Sequence, residues 1–347
     1  MARKKALNKD IRVEIKKSLG RYISIFLIVA LGVSFFSGLR STESDMRYTG
    51  DAFSDAREKS EKTISGKHAP LFCRFGRIFY LCGFDPNFMT RINTPKEVLA
   101  LAGNSAADKL QNTAGKTLIL AFLAGAYIAI GGLFSLMAGF GFPGAAEAPG
   151  FQRLLSGAVF PLGLILVVFT GAELFTGNNA VLMPGALGRR YGWGKVARNW
   201  TLVWLGNFAG ALFFTYFLVV LPGVLSSEMW REAACNIAQA KVSLPWGTVF
   251  LRGVGANWLV CLAVWLGMSA NDVPGRMIGL FFPIMCFVVI GYEHCIANMF
   301  FIPLGMLLGA PVSAAELFAG NLVPATLGNI VGGGLFVGGL YWYLNRK

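Results

Sequence analysis

Glu293 and His294 stand side by side in the middle of a long apolar run. On insertion scales an ionisable side chain at that depth costs about 2.5–3.5 kcal/mol, so such a residue marks a task other than filling space. His294 is the only histidine between Asn93 and the C-terminus. An imidazole titrates near neutral pH, so it can donate a hydrogen bond to an anion or pass a proton. Glu173 occupies a comparable apolar run. The expectation for Glu173 and Glu293 is structural: each carboxylate ties down a non-helical loop by accepting backbone N–H groups, and does not face a substrate. Lys241 precedes a later apolar segment, and by composition alone it reads as a solvated loop charge.

The elements that carry these residues repeat. Gly171, Glu173 and Asn178 form a GxExxxxN pattern that returns as Gly291, Glu293 and Asn298, 120 residues on. Asn199 stands seven residues before Gly206-Asn207-Phe-Ala-Gly210. Asn321 stands seven before Gly328-Asn329-Ile-Val-Gly332, at an offset of 122. The GNxxG spacing lets two helix backbones approach closely. Six apolar segments span roughly 117–138, 155–187, 200–221, 248–268, 277–309 and 321–344. The second and fifth are long and interrupted by Gly, Glu and Asn, as in broken helices. A repeat unit of three helices is odd, so the halves are inverted across the bilayer, and such repeats place a substrate path between them. Helix breaks expose N–H groups that favour anions and are tolerated at that depth only inside protein or along a cavity. The expected fold is an all-α membrane protein: a six-helix channel body of two inverted three-helix repeats with two broken helices, preceded by an extra N-terminal hydrophobic helix.

Composition supports a lipid solvent. Of 347 residues, 55% are hydrophobic and only 14% charged, with a mean hydropathy of +0.57; soluble domains carry about 25% charge. The net charge of +13 does not point to nucleic acid, because Lys and Arg flank apolar runs as they do at the cytoplasmic ends of membrane helices. Arg189, Arg190, Lys195, Arg198 and the terminal Arg346 and Lys347 place those ends in the cytoplasm, and six crossings put Asn93 there too. Six scattered cysteines form no CxxC pair, so no metal site or disulfide framework is indicated. No hydrolase or redox constellation appears; neither a cofactor nor an enzyme activity is expected.

Four strings then carry a resemblance: Glu173-Leu-Phe-Thr-Gly-Asn178, Asn257-Trp-Leu-Val-Cys-Leu-Ala-Val-Trp265, Gly291-Tyr-Glu-His-Cys-Ile-Ala-Asn-Met299 and the run from Asn321 to Gly334. Residues 93–347 resemble the formate/nitrite transporter family. The resemblance implies a homopentamer in the cell membrane (for a bacterium, the inner membrane) with one narrow apolar pore per protomer and His294 as the pore histidine. It implies Asn257 and Thr176 as pore residues and Lys241 as a vestibule lysine. It groups Leu174 with Phe287 at a cytoplasmic-side slit, and Phe160, Leu164 and Val260 at the opposite constriction. The implied substrate is a small monovalent anion, formate before nitrite or hydrosulfide, crossing passively or with a proton; short-chain monocarboxylate carriers belong to the same family. Partners are that anion and the bilayer, with no nucleic acid.

Residues 1–66 resemble something else, the start of a lipoprotein-release/cell-division type permease of ATP-binding cassette systems, with one hydrophobic helix at 22–39. A permease role for the whole chain is the remote alternative, since no Walker motif accompanies it. Residues 67–92 read as a linker to the 93–347 channel.

Overall fold

A computed structural model describes residues 92–346 apart from 143 and 146. The permease-like segment, its 22–39 helix and nearly all of the linker lie outside the described residues. Chain entry into the body is set by a capping box: Thr94 N–H donates to Glu97 Oε2 (2.8 Å), and Glu97 N–H donates to Thr94 Oγ1 (3.4 Å). Helix α1, Pro95–Gln111, follows. It buries only Val98, Ala102 and Ala106, one stripe at i, i+4, i+8, so it lies along the body and is not one of its spans.

Six helices among the described residues are long and apolar enough to cross a membrane. Helix α2 is Ala114–Phe140; α3 (Pro149–Val159) and α4 (Leu162–Thr170) make one span bent at Pro161, which cannot donate to the helical ladder. The short helix α5, Phe175–Leu187, runs on after a break, and α6 is Trp193–Phe213. The second half follows the same order. After α7 (Glu228–Val242) come α8 (Trp246–Ser269), α9 (Val273–Ile290), a break, α10 (Cys295–Leu307), and a last span, Glu316–Asn345, whose α-helical stretches are α11 (Val323–Ile330) and α12 (Leu340–Asn345). Helix α12 touches α1, so the beginning and the end of the body meet on one side, as an even number of crossings requires.

The two breaks are built alike. Gly171 ends α4 at φ +71°, and Gly291 ends α9 at φ +83°, a left-handed conformation that glycine adopts at no steric cost. The next N–H then reaches back six residues: Ala172 N–H donates to Val167 O (3.0 Å), and Tyr292 N–H to Phe287 O (3.1 Å). Each glycine thus reverses the chain, and each short helix restarts from inside the protein.

The GNxxG motifs work as their spacing predicts. A Cβ on Gly210 would sit within the van der Waals radius of Phe122 O, and one on Gly328 within that of Phe250 O. Helix α6 therefore lies backbone-to-backbone on α2, and α11 on α8. In a bilayer, where apolar burial drives little association, such contact is a main source of helix cohesion.

Candidate functional site

The two reversed loops, 172–174 and 292–294, meet inside the bundle. His294 is 2% exposed and forms the N-cap of α10, its Nδ1 accepting the Ala297 N–H at 3.1 Å. That bond occupies the Nδ1 lone pair, so the neutral ring carries its proton on Nε2. Nε2 lies 3.0 Å from Thr176 Oγ1, on the first turn of α5. The closest polar contact between the repeats at the centre is therefore an imidazole facing a hydroxyl. The repeat is broken here: Leu174 caps α5 with no side-chain bond where His294 caps α10. One of two equivalent positions became polar, the other stayed apolar.

Two asparagines hold the loops in place. Asn207 Oδ1 accepts the Phe175 N–H (2.9 Å), and its Nδ2 donates to Glu173 O (2.8 Å) and Ala121 O (2.7 Å). Asn329 does the same for Cys295 N–H (2.9 Å), Glu293 O (3.0 Å) and Gly253 O (2.8 Å). These are the Asn residues of the GNxxG motifs. The spacing argument identified their glycine neighbours but not this task. A buried amide matches a backbone amide donor for acceptor, which is why Asn suits an irregular loop in a dry interior.

The carboxylates make different bonds from those expected. Glu173 accepts from Lys109 Nζ (3.0 Å) and Asn178 Nδ2 (2.6 Å), and Asn178 also donates to Asn199 Oδ1 (3.0 Å). Glu293 accepts from Lys241 Nζ (3.1 Å), Asn298 Nδ2 (2.7 Å) and Asn321 Nδ2 (3.2 Å), with Asn298 donating to Asn321 Oδ1 (2.6 Å). Both partners sets are side chains, not the backbone N–H groups anticipated; the backbone is served by Asn207 and Asn329. Each mouth thus carries a lysine–glutamate pair buttressed by two asparagines. Lys241 sits in the last turn of α7, not in a loop, with its ammonium 5.8 Å from the Phe301 ring centre. Lys109 went unrecognised in the sequence because it lies 132 residues before Lys241, off the repeat offset. A search for a basic partner to Glu173, prompted by the repeat, would have found it.

Asn257 is fully buried and binds across the repeats. Its Nδ2 lies 2.7 Å from Asn329 O, 3.1 Å from Thr176 O and 3.1 Å from Asn179 Oδ1. The apolar residues fall into groups other than those the resemblance implied. Leu164 and Leu174 together line a cavity of about 310 Å³ at the mouth that carries Lys109. Phe160 instead meets Phe287 edge-on, ring centres 5.6 Å apart, and Phe287 lies 5.7 Å from the His294 ring. The difference follows from chain direction: α4 and α9 pass the centre oppositely, so Leu164 falls toward Gly171 and Phe287 toward Gly291. Val260 is buried in the same apolar cluster.

The family profile described as formate/nitrite transporter matches residues 96–343. A probable formate transporter of Methanothermobacter thermautotrophicus is 46% identical over 259 residues, covering 70% of this chain and 94% of that one. The formate channel FocA of Escherichia coli K12 is 35% identical over 271 residues, covering 72% and 93%. Among solved structures, a chain described as an FNT family ion channel superposes with a TM-score of 0.65 at 28% identity, covering 71% of this chain and 98% of that one. A pentameric formate channel with formate bound does so with a TM-score of 0.59 at 34% identity, covering 67% and 98%.

Proposed function

The chain belongs to the formate/nitrite transporter family, and from that premise we propose that it forms a homopentameric membrane channel whose protomers each pass formate. It is a multi-pass membrane protein. The relatives that carry formate in their names, and the neighbour with formate bound, support the substrate. Nitrite and hydrosulfide are the alternative anions. The assigned orientation has Arg189, Arg190, Lys195 and Arg198 on the cytoplasmic face of a cell membrane, which puts the Lys109 mouth inside and the Lys241 mouth outside. The channel is assigned to residues 93–347, with residues 1–66 a separate segment and 67–92 a linker.

One observation carries the mechanism: a buried imidazole with its Nδ1 bound to a backbone N–H and its Nε2 turned to Thr176, enclosed by Phe and Leu side chains. An apolar enclosure rejects bare charge because desolvation is costly. Lysines at both mouths lower that cost by Coulombic attraction, though each is held in an ion pair with a glutamate. At the centre the Nε2–H and the Thr176 hydroxyl are donors a small oxyanion can use. Protonating Nδ1 would set a second N–H against that of Ala297 and forfeit the cap. The neutral ring is therefore the working form, and hydrogen-bond donation by Nε2 the main role, with proton passage as the second reading.

The experiment is formate, nitrite and hydrosulfide flux in proteoliposomes from pH 5 to 8. His294→Asn keeps a capping oxygen and a donor but does not titrate; His294→Phe keeps neither. Formate flux that survives in His294→Asn and drops at least about tenfold in His294→Phe fits donation. Loss in both variants favours proton passage. Wild-type formate flux in His294→Phe would remove the histidine from the mechanism.

A further inference from the structure

The lysines at the two mouths are each committed to a glutamate at about 3 Å, so neither adds uncompensated charge to its vestibule. The cavity lined by Lys109, Leu164 and Leu174 contains another basic group, Arg276, in the first turn of α9. Among the described residues no carboxylate pairs with it. Asp272, one turn earlier, uses its carboxylate to cap α9 through Gly275 N–H (2.6 Å). The Arg276 Nε–H donates to Gly267 O at 3.2 Å. That bond fixes the guanidinium on the wall of the cavity and leaves its terminal Nη1/Nη2 edge, two parallel donors, for another acceptor. The opposite mouth has a comparable group: the Arg153 guanidinium lies 3.9 Å from where a Cβ on Gly291 would stand. Each mouth thus joins a neutralised lysine to an uncommitted arginine beside the reversing glycine.

We propose that Arg276 makes the Lys109 vestibule a docking site for planar oxyanions, holding a carboxylate or nitrite end-on through its Nη1/Nη2 edge before the anion enters the apolar path. A two-oxygen planar anion matches that edge in a bidentate manner, and an ammonium at the same place supplies only a point charge. Hydrosulfide, with a single acceptor atom, gains only the charge. The site thereby favours carboxylate and nitrite over hydrosulfide at the entrance, ahead of any selection at His294. The docking role rests on the channel reading above and adds a second selective step to it.

The test uses the full chain in proteoliposomes, with saturation curves for formate, nitrite and hydrosulfide in wild type, Arg276→Lys and Arg276→Gln, each checked for its oligomer by size. In Arg276→Lys the half-saturating formate and nitrite concentrations rise roughly five- to tenfold at similar maximal flux, and hydrosulfide is unchanged. Arg276→Gln raises all three. If Arg276→Gln fails to assemble, Arg276→Lys alone decides. Unchanged formate and nitrite curves in Arg276→Lys overturn the docking site, and so does an equal loss of all three anions. A wild type that passes nitrite but not formate sinks the formate reading alone, since the nitrite curves still test Arg276.

Discussion

At the level of single residues, the centre of the protein is an exception written onto a symmetric frame. Leu174 and His294 hold equivalent positions at the starts of α5 and α10, yet only His294 binds its own helix through a ring nitrogen. Leu174→His should therefore cap α5 but place a second polar ring beside the Leu164 side of the path, where nothing offsets its desolvation. We expect folded pentamer with formate flux reduced at least about tenfold, measured beside the wild type. Full flux would mean that the Leu164/Leu174 group does not constrict the path. Asn257 is a different kind of residue. With three acceptors around one amide nitrogen it couples the α5 loop to the last span, so its loss should disturb both repeats.

At the level of elements, the two reversed loops survive without helical hydrogen bonds because Asn207 and Asn329 supply substitutes. Asn207→Leu has similar volume but leaves the Phe175 N–H and the Glu173 carbonyl without these partners. A buried polar group left unsatisfied costs about 1–3 kcal/mol, so the variant should lose about 2 kcal/mol or more. The expected readout is an earlier loss of pentamer on heating in detergent, with reduced flux. Wild-type heat resistance would show that the loop is moored elsewhere. Close helix contact sets a second requirement. Gly210→Leu forces α6 away from Phe122 of α2; because backbone atoms cannot give way as a flexible side chain can, the variant should fail to assemble, whereas Gly192→Ala, in open space, should be silent.

For the whole molecule, the body from α1 to α12 contains the site, both vestibules and the meeting of its two ends. A chain lacking residues 1–90 is therefore expected to assemble as a pentamer and pass formate at wild-type rate. Loss of pentamer or flux would give the N-terminal segment a role that the channel body does not need.

The sequence by itself determined the class and the frame. Apolar segments, the GxExxxxN and GNxxG repeats and the basic loops are local or periodic signals, and each follows from what lipid demands of a helix. His294, Glu173 and Glu293 were legible for the same reason: polar groups inside apolar runs need a purpose. Tertiary structure alone decided the partners. Lys109 meets Glu173 across 64 residues, Arg276 turns into the Lys109 cavity, and Phe160 faces Phe287 where Leu164 was expected to join it. Those pairings depend on the direction in which each chain segment passes the centre and on which loop reverses there. Sequence spacing along one helix records faces and breaks; it holds no distance between two helices brought together only by folding.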